Sequence, residues 1–437
     1  MNDKSSIKYI IGLSIPIFFA NLAIPLVGIV DTALMGNLSN KTYLAATTIA
    51  SSFFSMIFWS FGFLRMGTVG VIAKSYGEKN FDEIINVIFR NLIFVIIIFL
   101  SLTIFKNQLF NICIDVFEMT NETKLRFADY FNIRIYSSIG ELTIYIITGV
   151  FIGLQKTKIS SLTVGTLSVL NIIFSIVLVK IYNLEVKGVA YGTLFASIIT
   201  CTIFLFYTFL HLKKITKINF NIDEILNLNK IKNLIEINLN IFVRTILLTF
   251  SFLWFTYLGS KIGEEYVAAN AILLNLIFLS SFILDAYAFS TEGIIGYSIG
   301  SKNLNLFKKV VKNSFILTSI TGLIISLSYL FFKNYMIGFM TDIESIKTIS
   351  IQFSFWLIIL PFVSSFCYQF DGIFIGASQT KELRNAMIIS VSLYLILSFY
   401  FINIYQNFGL WLAFTIFLIL RAITLLYYFK RIYIKFN

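Results

Sequence analysis

The chain is short of nearly everything that a soluble enzyme uses for chemistry. Its 437 residues include one histidine, three cysteines and three prolines, and only 13% of them are charged. The single histidine, His211, stands beside Lys213 and Lys214, which leaves no histidine-based metal or haem site. Cys113, Cys201 and Cys367 are far apart and in no zinc or redox spacing, so they read as ordinary apolar or interfacial residues. No His/Asp/Ser constellation and no GxxxxGK phosphate loop occurs, which argues against an enzyme and against an ATP-driven pump. No cleavable leader is expected, since "MNDKSSIKYI" runs directly into an apolar stretch.

What is present is hydrophobicity. Apolar residues make up 58% of the chain, and the mean hydropathy is +0.86. A soluble domain carries about 25% charged residues, so this composition predicts an all-α, polytopic membrane protein. Twelve apolar segments, from Tyr9–Met35 to Phe408–Phe429, are long enough to cross a bilayer as helices. The net charge of +12 is read as an orienting device, not as a nucleic-acid surface. One set of loops gathers the basic residues, from Lys4 and Lys8 through Lys213, Lys214 and Lys217 to Lys430 and Arg431. The alternate loops hold Asp115, Glu118, Glu122, Glu264, Glu265, Asp342 and Glu344. By the positive-inside rule, both termini are expected to be cytoplasmic.

The two halves of the chain repeat at an offset of 223 residues. "MGNLSNKTYLAATTI" from Met35 lies on "LGSKIGEEYVAANAI" from Leu258, and "TVGVIAKSYGEKN" from Thr68 lies on "TEGIIGYSIGSKN" from Thr291. "VFIGLQKTK" from Val150 lies on "IFIGASQTK" from Ile373. Six helices is an even number, so the copies share one orientation: they are parallel repeats, a construction common in transporters. The expected organisation is an N-terminal six-helix lobe over 1–212, a cytoplasmic linker over 213–230 and a pseudo-symmetric six-helix lobe over 231–437.

Several segments carry a family resemblance: "LVGIVDTALMG", "FWSFGFLRMGTVG", "VAANAILLN", "LDAYAFSTEGIIG" and "YQFDGIFIGASQTKELRNAM". Together they resemble the multidrug and toxic compound extrusion (MATE) transporters, and within them the DinF-like branch. The likeness covers nearly the whole chain in order. It implies two lobes around a cavity that opens alternately to each side, and export of organic, often cationic, compounds against protons or sodium. It further implies no cofactor beyond the transported H+ or Na+, small-molecule substrates, a monomer, and a place in the bacterial inner membrane. A flippase for a lipid-linked precursor is the alternative, but such a cavity needs fixed positive charge, and the recognisable charges here are mainly acidic.

Ionisable residues inside spans are costly and mark function. Five carboxylates (Asp31, Glu141, Asp285, Glu292, Asp371) and three guanidiniums (Arg65, Arg244, Arg421) stand out. Asp31 lies about 6 Å inside the end of its helix at 1.5 Å per residue, where a bland interfacial carboxylate is one reading. Pro25 loosens the helix one to two turns below it, and Gly28, on the same face, leaves room for a helix or a ligand. Burial disfavours the charged form of a carboxylate, so such a group can exchange a proton near physiological pH. The resemblance makes Asp31 the proton-coupling residue and Pro16 and Pro25 the bend points. Relatives usually carry an Asn followed four residues later by an Asp; this chain has Asn171 and Ser175. Ser175 hydrogen-bonds but carries no proton at ordinary pH. Glu141 either replaces that missing acid or lies at the lobe surface.

In the second half, Asp285 and Glu292 share a helix face, and Asp371 with Arg244 completes an expected charged cluster. That cluster is either a structural ion-pair network or a second cation site, and Arg65 is expected to be structural. Met35, Phe58, Trp59 and Tyr287 are candidates to line a cavity, the aromatic ones by stacking on flat cations.

Overall fold

A computed structural model describes residues 3–38, 40–216 and 221–436. Lys217, with the rest of 217–220 in the expected linker, lies outside the described residues. Among the described residues every regular element is helical. The spanning helices are α1 (Ile7–Gly36), α2 (Lys41–Gly77), α3 (Phe81–Ile104), α4 (Asn121–Gly153), α5 (Thr157–Ile181) and α6 (Glu185–Lys213). They continue as α7 (Leu228–Ile262), α8 (Glu264–Gly300), α9 (Leu304–Met340) and α10 (Ser354–Gly376). The last apolar run, Thr380–Phe436, has 57 residues, far more than the roughly 20 that one crossing needs. It breaks at Gln406, whose φ of 49° and ψ of −128° no helix permits, into α11 (380–405) and α12 (407–428). Among the described residues, eleven continuous apolar segments therefore make twelve spans.

The chain divides into two compact units, Phe19–Ile235 and the pair Met1–Phe18 with Glu236–Asn437. Each has its own apolar core. The first is built around Phe54, Phe127, Phe131 and Ile146, the second around Phe255, Leu273, Trp411 and Phe414. Large apolar side chains such as Ile24, Phe331 and Phe339 remain exposed, as they do where lipid is the solvent and backbone groups are satisfied within helices.

The repeat written in the sequence is also written in the backbone. Of the seven non-glycine residues with positive φ, six form pairs at the 223-residue offset: Lys79 with Lys302, Gln155 with Ser378, and Asn183 with Gln406. Such a conformation ends a helix by breaking its ladder. After two of these stops the same residue starts the next helix. Asn80 Oδ1 accepts from Glu83 N at 3.0 Å, and Asn303 Oδ1 accepts from Leu306 N at 2.9 Å, each satisfying an N-terminal donor. The break at Gln406 is held from inside. Asn270 and Asn407 exchange two side-chain hydrogen bonds of 2.7 and 3.1 Å, and Trp411 Nε1 donates to Asn270 Oδ1 at 2.8 Å.

The start of α1 packs within the second unit, where Ser14 and Ser290 hydroxyls meet at 2.8 Å. The segment expected as a linker is partly folded. A short helix, Ile222–Ile225, is held onto α3 by buried Arg90. That guanidinium donates to the carbonyls of Ile225 (3.0 Å) and Glu224 (2.7 Å) and to Glu83 (2.6 Å).

Candidate functional site

Asp31 sits near the end of α1, a helix that contains both Pro16 and Pro25. The boundary between the two compact units falls between these prolines, after Phe18. The Asp31 side chain is buried: the residue is only 8% exposed. Its Oδ1 accepts no hydrogen bond, while the carboxylate lies within reach of the Ser175 hydroxyl and feels the charge of Arg134. Gly28, one turn earlier, has no atom within 4 Å of where a Cβ would stand. The space beside it is open, and no neighbouring helix fills it.

The polar partners come from α5 and α6. Asn171 Nδ2 donates to Thr193 Oγ1 at 2.9 Å, and Ser175 Oγ donates to Asn171 Oδ1 at 3.5 Å. All three are buried, so the chain Thr193–Asn171–Ser175 leads through the lobe to Asp31.

Glu141 does not lie at the lobe surface. It is mostly enclosed and forms an ion pair with Arg134, and Ser137 Oγ donates to its Oε1 at 3.1 Å. Arg134 was not singled out by sequence reasoning, although it lies inside the fourth apolar segment. Its spacing was a usable signal: seven residues before Glu141, it shares that residue's helix face. The guanidinium also lies over Phe58 at 4.9 Å and Phe54 at 5.5 Å.

This placement corrects two cavity-lining expectations. Phe58 is buried in the core and covered by Arg134, and Met35 is wholly enclosed. Apolar packing of the lobe accounts for both. Trp59 is half-exposed, and Tyr287 is partly buried with its hydroxyl accepting from Thr321 Oγ1 at 3.3 Å. Arg65 lies on α2 among the charges that act on Tyr145.

In the second unit the expected balance of three acids against one arginine changes. Asp371 is paired with two guanidiniums, that of Arg244 and, at 2.7 Å, that of Arg421 from α12. All three residues are at most 6% exposed. Asp285 belongs to the same neighbourhood, because it acts with these three on Cys367. Glu292, two turns further along α8, is buried. Distance in sequence hid Arg421: it lies 50 residues from Asp371, across the break at Gln406.

The profile of the MatE family matches residues 16–177 and 241–402, one stretch in each half. Over 430 residues the chain is 28% identical to DNA damage-inducible protein F of Escherichia coli K12, covering 98% of this chain and 93% of that one. It is 24% identical over 297 residues to Protein DETOXIFICATION 43 of Arabidopsis thaliana, covering 68% of this chain and 55% of that one. Its fold matches the bent form of the Vibrio cholerae MATE transporter VcmN with a TM-score of 0.86 at 19% identity, over 100% and 99% of the two chains.

Proposed function

Because the chain belongs to the MatE family of transporters, we propose that it exports organic compounds, cationic or neutral and lipophilic, in exchange for protons, with Asp31 as the coupling group. The observation that carries this reading is the state of Asp31: a buried carboxylate with one oxygen lacking a hydrogen bond, in a helix containing two prolines. A buried carboxylate gains most from taking up a proton when few donors compensate its charge. The Arg134 charge nearby opposes a bound proton and a bound sodium ion alike, because each adds one positive charge, so the gradient experiment below separates the two ions. The basic loops support cytoplasmic termini in the bacterial inner membrane.

Inverted vesicles loaded by a pH or a sodium gradient test this with a fluorescent cationic dye. Wild type is expected to move dye with the proton gradient, and Asp31→Asn to fall to background. Normal transport by Asp31→Asn would reject Asp31 as the coupling group. Transport driven by sodium alone would reject the proton.

A further inference from the structure

In the first unit the Arg134 guanidinium is paired with Glu141, and its charge also acts on Asp31. Arg134 ends the helical stretch Asn121–Arg134 and is followed by a single 3₁₀ turn, Ile135–Ser137, before the helix resumes at Ser138. A 3₁₀ turn inside a spanning helix is a place where that helix can adjust. The turn is tied to both charges. Ser137 Oγ contacts the guanidinium, donates to the Arg134 carbonyl at 2.7 Å and reaches Glu141 Oε1 at 3.1 Å. One turn earlier, the Tyr130 hydroxyl lies by Arg134 and meets Ser51 Oγ at 3.3 Å. The ionisable groups around this cluster are Tyr130 and Tyr145 from α4, Arg65 from α2 and Asp31 from α1.

We infer that Arg134 is the resident counter-ion of Asp31: it is held by Glu141 while Asp31 carries a proton, and is shared between the two carboxylates once the proton leaves. This rests on the reading of Asp31 as the coupling group. The charge arithmetic makes it work. With Asp31 protonated, Arg134 and Glu141 cancel; with Asp31 ionised, the cluster carries a single negative charge, not two. Burying one net charge costs far less than burying two, so proton release does not require an organic cation to take the proton's place. The aromatic faces of Phe54 and Phe58, suited to flat cations, are already covered by the protein's own cation. This lobe therefore handles the proton, and Arg134 already occupies the ring faces that a cationic compound would use.

The test is the pH profile of gradient-driven dye transport in Glu141→Gln and in the double variant Arg134→Gln/Glu141→Gln. The double variant leaves neither partner buried alone. Removing Glu141's charge concentrates Arg134 on Asp31, which favours the carboxylate, so the profile moves to the acid side of wild type. Removing Arg134 as well takes away that support, so the double variant lies on the alkaline side of Glu141→Gln by about one pH unit, a tenfold change in proton concentration. Arg134→Lys keeps the charge and is expected to stay near wild type. Glu141→Gln and the double variant sharing wild type's profile, whatever their rates, would overturn the assignment and leave Arg134 a packing residue. Normal transport by Asp31→Asn is a different failure: it rejects the coupling reading itself, whatever the other variants do.

Discussion

At the 223-residue offset, Asp31 and Ser175 of the first unit correspond to Trp254 and Ser398 of the second. In the first unit the pair is a carboxylate beside a hydroxyl. In the second, the Trp254 indole N–H donates to Ser398 Oγ at 3.0 Å. The frame beneath them is shared. A Cβ on Gly149 would stand 2.8 Å from the Arg65 carbonyl, and one on Gly372, its counterpart, 2.6 Å from the carbonyl of Ala288; Arg65 and Ala288 are themselves counterparts at the same offset. Two helices therefore approach at the same places in each unit, while the groups they carry have diverged. The first unit keeps an incompletely compensated carboxylate near an ion pair. The second sets Asp371 Oδ2 against both Arg244 and Arg421 while its Oδ1 accepts no hydrogen bond, and the counterparts of Asp371 and Arg244 are the neutral Thr148 and Asn21. Backbone proximity constrains residue size and so resists change. Charge is constrained only by its local partners, so each copy is able to take on its own chemistry.

The comparison is sharpest in stability. Asp371→Ala strands two buried guanidiniums and is expected to cost about 3–5 kcal/mol. Asp31→Ala removes a buried charge with few partners and is expected to cost little or to stabilise. Thermal unfolding of the purified protein in detergent reads both, and equal losses would erase the distinction between a closed and an open charge site. Next in size are Gly149→Leu and Gly372→Leu. Each forces apart a helix pair and is expected to cost about 1–3 kcal/mol by the same assay. A loss in only one would show that the frame is not shared after all. The smallest effects separate the matched pairs. Trp254→Phe removes one hydrogen bond and is expected to cost about 0.5–1.5 kcal/mol without moving the pH profile of transport. Ser175→Ala withdraws a donor from the ionised form of Asp31, so the profile is expected to move to the alkaline side.

Much of this was legible in advance, and the reasons differ by feature. Hydropathy marks the spans because a bilayer admits only long apolar helices. The break at Gln406 was marked by a dip in hydropathy between two apolar runs. The signature segments pointed to Asp31, Asn171 and Ser175, and these do come together. Arg134 and Arg421 were not recognised as members of the two charge sites. In a membrane span an arginine's role depends on which carboxylate it meets, and helix packing decides that meeting. Phe58 was misread for the same reason: aromatic character does not tell which cation covers the ring.

The amino-acid sequence by itself determined the solvent, the number of crossings, the duplication and the family, because each is written in residue type and order along one dimension. The tertiary structure decided which charges compensate one another. It paired Arg134 with Glu141 where its charge acts on Asp31, joined Asp371 to a guanidinium 50 residues away, and left one Asp31 oxygen without a hydrogen bond. Electrostatic energy depends on separations of a few ångströms and on local burial, and only the packed helices set those.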